Sequence, residues 1–353
     1  MNLRTISIDD FFRLRQDFPV ADVRSESEFK EGHIRGAQNI PLLRDEERVA
    51  VGTDYKQKGP SEAIRTGFRV VGPRLEQMMD EAAAYSAGRE LLVYCWRGGM
   101  RSKNFCSFVS MAGVKAHRLE GGYKTYREKV FESFSQPLPL VVISGKTGSG
   151  KSEILRALAS AGEQVIDLED LASHKGSAFG GLLQEAQPTN EQFLNNLFEV
   201  IRPLDLTRPI WVEDESIAIG KIFIPKTFFD QKKSAPVVQI EVDKSIRVNR
   251  LVNEYGPADR SEFLQAMERI TKKLGGQHFN AAKEYLLKGD MHSTIDLLLT
   301  YYDKAYAHSL EKKSSSIRAS FAWDGKDPAR LISQLTDFSA RFGTEMNQSS
   351  GTC

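Results

Sequence analysis

The chain has 353 residues, 41% hydrophobic and 27% charged, with 48 Lys and Arg against 47 Asp and Glu. This ordinary globular composition excludes collagen, a long coiled coil and wholesale disorder, and at about 100–200 residues per domain the length calls for two domains. Three cysteines are no disulfide framework and a chain this long needs none, so a reducing compartment is expected. A net charge of +1 excludes a uniformly basic nucleic-acid coat but leaves room for a local basic groove.

The opening MNLRTISIDDFFRLRQDF carries acids early and has no apolar centre, unlike a signal peptide. Runs such as PLPLVVIS are too short to span a bilayer, so a cytoplasmic protein is expected. ISIDDFFRL reads as a short strand and a helix start with Asp9 or Asp10 as cap, and PVADVRS as a strand. SESEFKEGHIRGAQNIP reads as a helical turn and an irregular loop, and Leu42 to Phe68, rich in charge and glycine, as loops and short helix. RLEQMMDEAAAYSAGR has helical spacing ended at Gly88; ELLVYC is a buried-type strand and SKNFCSFVSMAGV a helix. Alternating strands and helices make residues 1–136 one α/β domain, bounded by the proline-bearing FESFSQPLP.

A second α/β core, residues 137–243, takes PLVVIS, QVIDLED, RPIWVEDES and APVVQIEVD as strands and KSEILRALASAG as a helix. Residues 244–353 read as mostly helical, packed on or part of that core, with DPARLISQLTDFSARF a late amphipathic helix and MNQSSGTC a frayed end. The chain shows no internal repeat, and one sequence does not set strand order.

Three regions carry chemistry. Cys95 ends a strand and Trp96-Arg97-Gly98-Gly99-Met100-Arg101-Ser102 leads into a helix. Paired glycines allow a tight loop whose amide hydrogens converge on the sulfur, while the helix start and two arginines favour a thiolate and an oxyanion beside it. A structural buried thiol is the alternative. Cys106 falls on an apolar helix face and reads as core; Cys353 reads as incidental.

Gly145-Lys146-Thr147-Gly148-Ser149-Gly150-Lys151-Ser152 is a Walker A pattern between a strand and a helix, the context a phosphate loop needs. Its amides wrap a diphosphate, Lys151 neutralises it, and Ser152 can ligate magnesium. Glu213, Asp214 or Glu215, at a strand end, could serve that ion or orient a base. Asp167 to Gly180 forms an acid-ended strand and a Gly, Ser and Lys loop suited to a second substrate, with Asp167, His174 and Lys175 as acid, base or binding candidates.

Cations gather around Cys95 and on the helices after 244; Lys124, Arg127, Arg247 and Arg250 are candidate nucleic-acid contacts, with Tyr123 and Tyr126 available to stack on bases. A solvated face is the plainer alternative.

Asp22-Val23-Arg24-Ser25 through Glu28-Phe29, then Gly32-His33-Ile34-Arg35-Gly36-Ala37-Gln38-Asn39-Ile40-Pro41, the Cys95 loop and Gly121-Gly122-Tyr123 resemble a rhodanese, whose cysteine carries chalcogen. Arg35 stands where that family often has proline, and His33 reads as packing against its loop. Fused to GKTGSGKS and VIDLEDLASHKGSAFG, the whole chain resembles the bacterial tRNA 2-selenouridine synthase family. The resemblance implies a rhodanese-like α/β domain followed by a P-loop NTPase-like α/β domain with a mostly helical C-terminal region. It implies geranylation of 2-thiouridine at the tRNA wobble position from geranyl diphosphate, then exchange of the S-geranyl group for selenium from selenophosphate. Cys95, Arg97 and Arg101 would serve the selenium step, and residues 145–152 the diphosphate with magnesium. No tightly bound cofactor, no membrane partner and a monomer are the further expectations. An ATP-dependent tRNA sulfurtransferase or kinase, and a regulatory nucleotide switch, remain open at this level.

Overall fold

Five short apolar segments of the N-terminal part pair in parallel in the computed structural model, which describes residues 4–311 and 314–350. They are β1 (Arg4–Ile6), β2 (Val20–Asp22), β3 (Ala37–Asn39), β4 (Leu91–Tyr94) and β5 (Ala116–Leu119), in the order β1-β5-β4-β2-β3. β4 lies in the middle and is buried along its whole length, as a parallel strand covered on both faces must be. Its carboxyl end therefore delivers Cys95 at the rim of the sheet, beside the end of β2.

The first helix, Ile8–Leu14, is capped by Ser7, whose side chain accepts from the Asp10 amide, while Asp9 and Asp10 occupy its first turn. Residues 42–68 are not mainly loop: helices Asp45–Lys58 and Pro60–Val71 pack on each other. Acids start and lysines end the first of these helices, matching the helix dipole. Gly59 at φ 91° separates them, and Pro60 opens the second. The first buries none of its residues, which is why its sequence has the polarity of a loop.

The contact pattern divides the chain between Ser133 and Phe134. In the second unit, β6 (Leu140–Gly145), β7 (Gln164–Ile166), β8 (Ile210–Glu213), β11 (Val237–Glu241) and β12 (Ile317–Ala322) form a parallel sheet in the order β12-β11-β6-β8-β7. A small antiparallel ribbon, β9 (Ala218–Ile219) and β10 (Ile222–Phe223), sits apart from it. The C-terminal region is thus not helical throughout: β12 joins the sheet edge beside β11. Its residues alternate between half-buried and exposed, so IRASFA lacks the continuous apolar run of the inner strands.

Helices from Lys244 to Glu311 bury their own apolar cluster, including Leu251, Phe263, Met267 and Leu298, into which Phe179 inserts. The late helix, Ala329–Ser350, packs Leu331, Leu335 and Phe338 against the sheet core at Trp211. It continues through most of the tail expected to fray; residues 351–353, with Cys353, lie outside the described residues. Among the described residues no helix is long and apolar enough to cross a membrane.

Candidate active sites

The thiol loop is built on buried scaffolding. Cys95 is 3% exposed, and its Sγ lies 3.1 Å from Ser102 Oγ in the first turn of helix Met100–Met111. The Tyr123 and Lys124 amides donate to the Cys95 and Trp96 carbonyls at 2.8 and 2.9 Å. These amides hold the loop's shape, and the group hydrogen-bonded to the sulfur is the Ser102 hydroxyl, where converging amides were expected. Gly122, at φ 64°, has no room for a side chain: a Cβ there would stand 2.3 Å from the Cys95 carbonyl oxygen and 2.4 Å from the Gly98 amide.

Beneath the loop, Asp22 and Arg24 form a fully buried ion pair with contacts of 2.6 to 3.0 Å. Arg24 also donates to the Gly32 carbonyl at 2.6 Å and lies 3.8 Å from the Tyr123 ring centre and 5.8 Å from that of Trp96. Burial opposes the Arg24 charge, but the Asp22 hydrogen bonds outweigh it and hold its pKa above the ordinary value. Arg101 is tied by two hydrogen bonds, 2.5 and 3.1 Å, to Glu28, whereas Arg97 is exposed on the loop. Burial pushes the Glu28 carboxyl up, yet the Arg101 bonds prevail and keep it below the usual range. His33 stacks on Phe29 at 3.8 Å. Cys106 sits in the core, its thiol pushed up to about 12 by burial.

In the second unit, β6 runs into the phosphate loop and Gly150, at φ 80°, turns the chain into helix Lys151–Ser160. The loop is held from outside. Arg247 is buried, donates to the Thr147 carbonyl at 3.2 Å, and pairs with Asp303 at 2.9 and 2.8 Å. It is therefore a brace for the loop, and the reading of Arg247 as a nucleic-acid contact is overturned. Arg250 pairs with Glu153 and lies over Trp323, bracing the helix start in the same way. Inside the loop, Ser149 Oγ is buried without a hydrogen-bond partner, and Lys151 Nζ is 3.5 Å from the Gly145 carbonyl. Burial would depress the Lys151 ammonium, but Glu169, Glu215, Asp214 and Glu213 hold its pKa above the ordinary value. The Ser149 hydroxyl faces Gly145 and does not line the adjoining cleft, whereas the Lys151 ammonium does and suits an oxyanion there.

A cleft of about 940 Å³ brings the loop together with Asp167, Lys175, Asp214 and Glu215. Lys175 pairs with Glu254 at 2.6 Å, and Asp214 accepts from Ser144 at 2.8 Å. Burial, then the neighbouring Glu169 charge, raises Glu215 to about 8. Glu213 is turned away: fully buried, it accepts the Leu168 and Glu169 amides at 2.9 and 3.3 Å, and burial with Asp167 nearby lifts it well above the carboxylate range. His174 packs close to Gly180 and Gly220, and burial lowers its pKa.

Among the described residues no group of three His, Cys, Asp or Glu side chains is arranged to hold a metal. A phosphate-loop magnesium needs less, because phosphate and water complete its shell. Ser152 Oγ donates to Glu169 Oε2 at 2.9 Å, close to the roughly 3 Å that separates neighbouring oxygens around an octahedral ion with bonds of about 2.1 Å. These residues fit the ion; Asp214 and Glu215 of the 213–215 cluster line the same cleft, and the acid bonded directly to Ser152 is Glu169. Its signal in the sequence was the acid two positions beyond Asp167, after β7.

The remaining cations are surface groups: Lys124 pairs with Glu128, and Arg127 lies over Phe131. Tyr123 and Tyr126 are fully buried, so neither can stack on a base. The exposed aromatic of the thiol loop is Trp96, which sequence reasoning passed over.

Residues 138–328 match the family described as tRNA 2-selenouridine synthase AAA domain, and residues 9–129 match the rhodanese-like domain. Proteins named tRNA 2-selenouridine synthase are similar across both units. The one from Shewanella sediminis is 36% identical over 85% of this chain and 89% of its own. That from Bdellovibrio bacteriovorus is 34% identical over 90% and 96%, and that from Nitrosomonas europaea 32% over 87% and 93%. With a phosphate loop and a rhodanese thiol loop in the matched segments, the chain belongs to the tRNA 2-selenouridine synthase family of transferases.

Proposed function

We propose that the second unit geranylates 2-thiouridine at the wobble position of tRNA, and that the first exchanges the resulting S-geranyl group for selenium. The observation that carries the first step is the anion cradle: Lys151 lines the cleft at a phosphate loop whose outer face is closed by Arg247 and Leu251. In that step the thiouridine sulfur bonds to C1 of the geranyl chain, the C–O bond breaks, and diphosphate leaves onto Lys151 and the loop. Magnesium, held by Ser152 and Glu169, would neutralise charge on that diphosphate. The N3 proton passes to a cleft carboxylate, Asp167 or Asp214, both of which line the cleft; Glu215, at about 8, is mostly protonated at neutral pH.

In the second step Cys95 acts as nucleophile. Its thiolate bonds to C2, the C2–S bond breaks, and geranylthiolate leaves and takes a proton from water. Selenium of selenophosphate then bonds to C2, Cys95 departs, and water cleaves the Se–P bond to release phosphate. Attack of the thiolate on selenium itself would expel phosphorus in a reduced state, so a nucleophile balances where a simple selenium carrier does not. Ser102 Oγ, 3.1 Å from the sulfur, can donate to the thiolate, and exposed Arg97 can meet selenophosphate. Arg101, bound to Glu28, anchors the loop.

Mass measurement of tRNA nucleosides after geranyl diphosphate, then selenophosphate, tests the scheme. Cys95→Ser should accumulate S-geranyl-2-thiouridine, and Lys151→Ala should leave 2-thiouridine unchanged. Full selenation by Cys95→Ser, or normal geranylation by Lys151→Ala, would remove the corresponding assignment. An ATP requirement without a prenyl requirement would favour the sulfurtransferase reading.

A further inference from the structure

We infer that an apolar cleft beside the Cys95 loop seats the prenyl chain while selenium replaces sulfur; this rests on the two-step reading above. The cleft has a volume of about 340 Å³, within the roughly 300–1,000 Å³ of small-molecule sites. Tyr55, Ile64, Phe68 and Met100 line it and remain 59%, 42%, 61% and 59% exposed. Single exposed apolar residues are unremarkable, but four large ones around one concavity mark a binding surface.

The position of the cleft selects the occupant. Met100 and Arg101 are at once cleft lining and the end of the loop that begins at Cys95. A group seated there lies against the end of the thiol loop and against Leu42, Leu43 and Val71, which share a core cluster with Cys95, and the leaving group of the exchange is an apolar ten-carbon chain on sulfur. The phosphate-loop cleft of the second unit, by contrast, is lined by Lys151, Asp167, Glu169 and further charged residues. The structure therefore assigns the apolar cleft to recognition of the geranylated nucleoside, which makes chain length a determinant of selenium exchange.

Gly67 supplies a clean test. It lies within helix Pro60–Val71 and lines the cleft, and a Cβ built there meets nothing within 4 Å. Leucine at this position fills the cleft while improving helix propensity. The full chain is given tRNA already bearing S-geranyl-2-thiouridine or S-methyl-2-thiouridine, with selenophosphate, and KM and kcat are measured for both. Each buried CH₂ is worth about fourfold in affinity, so burying four or more carbons gives the parent at least about a 100-fold lower KM for the geranyl substrate. Gly67→Leu should erase that preference and leave exchange of the S-methyl substrate unchanged. Equal KM for both substrates in the parent, or unchanged discrimination in Gly67→Leu, overturns the prenyl seat. Altered sedimentation of Gly67→Leu with unchanged discrimination assigns the cleft to a second copy of the chain, and likewise overturns it. Failure of the parent to exchange either S-alkyl substrate instead overturns the two-step reading.

Discussion

Replacing Arg24 with methionine should be among the most damaging single changes in the first unit. Methionine fills comparable space without charge, and leaves the Asp22 carboxylate buried with the Arg24 backbone amide, at 2.9 Å, still donating to it. Three side-chain contacts of 2.6 to 3.0 Å are lost, together with the bond to the Gly32 carbonyl. Breaking one partner of a buried ion pair costs about 3–5 kcal/mol, whereas replacing both with packed apolar groups is often neutral. At a slope of about 2 kcal/mol per molar urea, the unfolding midpoint of this unit should fall by about 2 M. Urea titration read by hydrogen exchange of the β4 and β5 peptides isolates the first unit from the second. The double variant Asp22→Leu with Arg24→Met should recover most of the loss. Selenium exchange should fall with Arg24→Met, because Arg24 lies against Tyr123 and Trp96 at the thiol loop, while geranylation persists. A midpoint within about 0.3 M of the parent, or a double variant as weak as the single, would refute the reasoning.

Gly122→Ala places a methyl against the Cys95 carbonyl and the Gly98 amide at φ 64°. It should lower selenium exchange by at least about 100-fold and leave geranylation intact; nucleoside mass measurement that finds normal exchange contradicts the loop packing. Glu28 is held below its ordinary range, so its contribution is fully present above about pH 5 and lost as pH falls through its folded value. Thermal melts of Glu28→Gln should show a deficit of about 1–3 kcal/mol near neutrality that closes toward pH 3, and a deficit that is constant with pH would count against the pair. With its thiol at about 12 and buried, Cys106 should resist iodoacetamide at pH 8 until the chain is unfolded. Peptide mapping that finds a Cys106 adduct in the folded protein would show this core to be open.

Much of the chemistry was legible locally. A phosphate loop is a run of consecutive residues between a strand and a helix, and the thiol loop is another, so Gly145–Ser152 and Cys95–Ser102 could be read without knowledge of distant contacts. The inner strands were equally readable, because burial on both faces demands an uninterrupted apolar run such as LLVY or LVVISG. Where burial is partial that signal fails: helix Asp45–Lys58 buries none of its residues, and β12 hides in an alternating edge sequence.

Tertiary structure decided which charges serve a ligand and which serve the fold. Nothing in their sequence separates Arg247 from Arg97, yet one is a buried brace for the phosphate loop and the other an exposed cation on the thiol loop. Glu169 rather than Glu213 meets Ser152 because Glu213 is committed to the amides of residues 168 and 169. The apolar cleft near Cys95 gathers residues from three helices and the segment before them, spread from Leu42 to Phe108, so no local pattern marks it. Loop motifs are set by neighbouring backbone and can be read from sequence, whereas the fate of a charge or an apolar side chain depends on what folding brings against it.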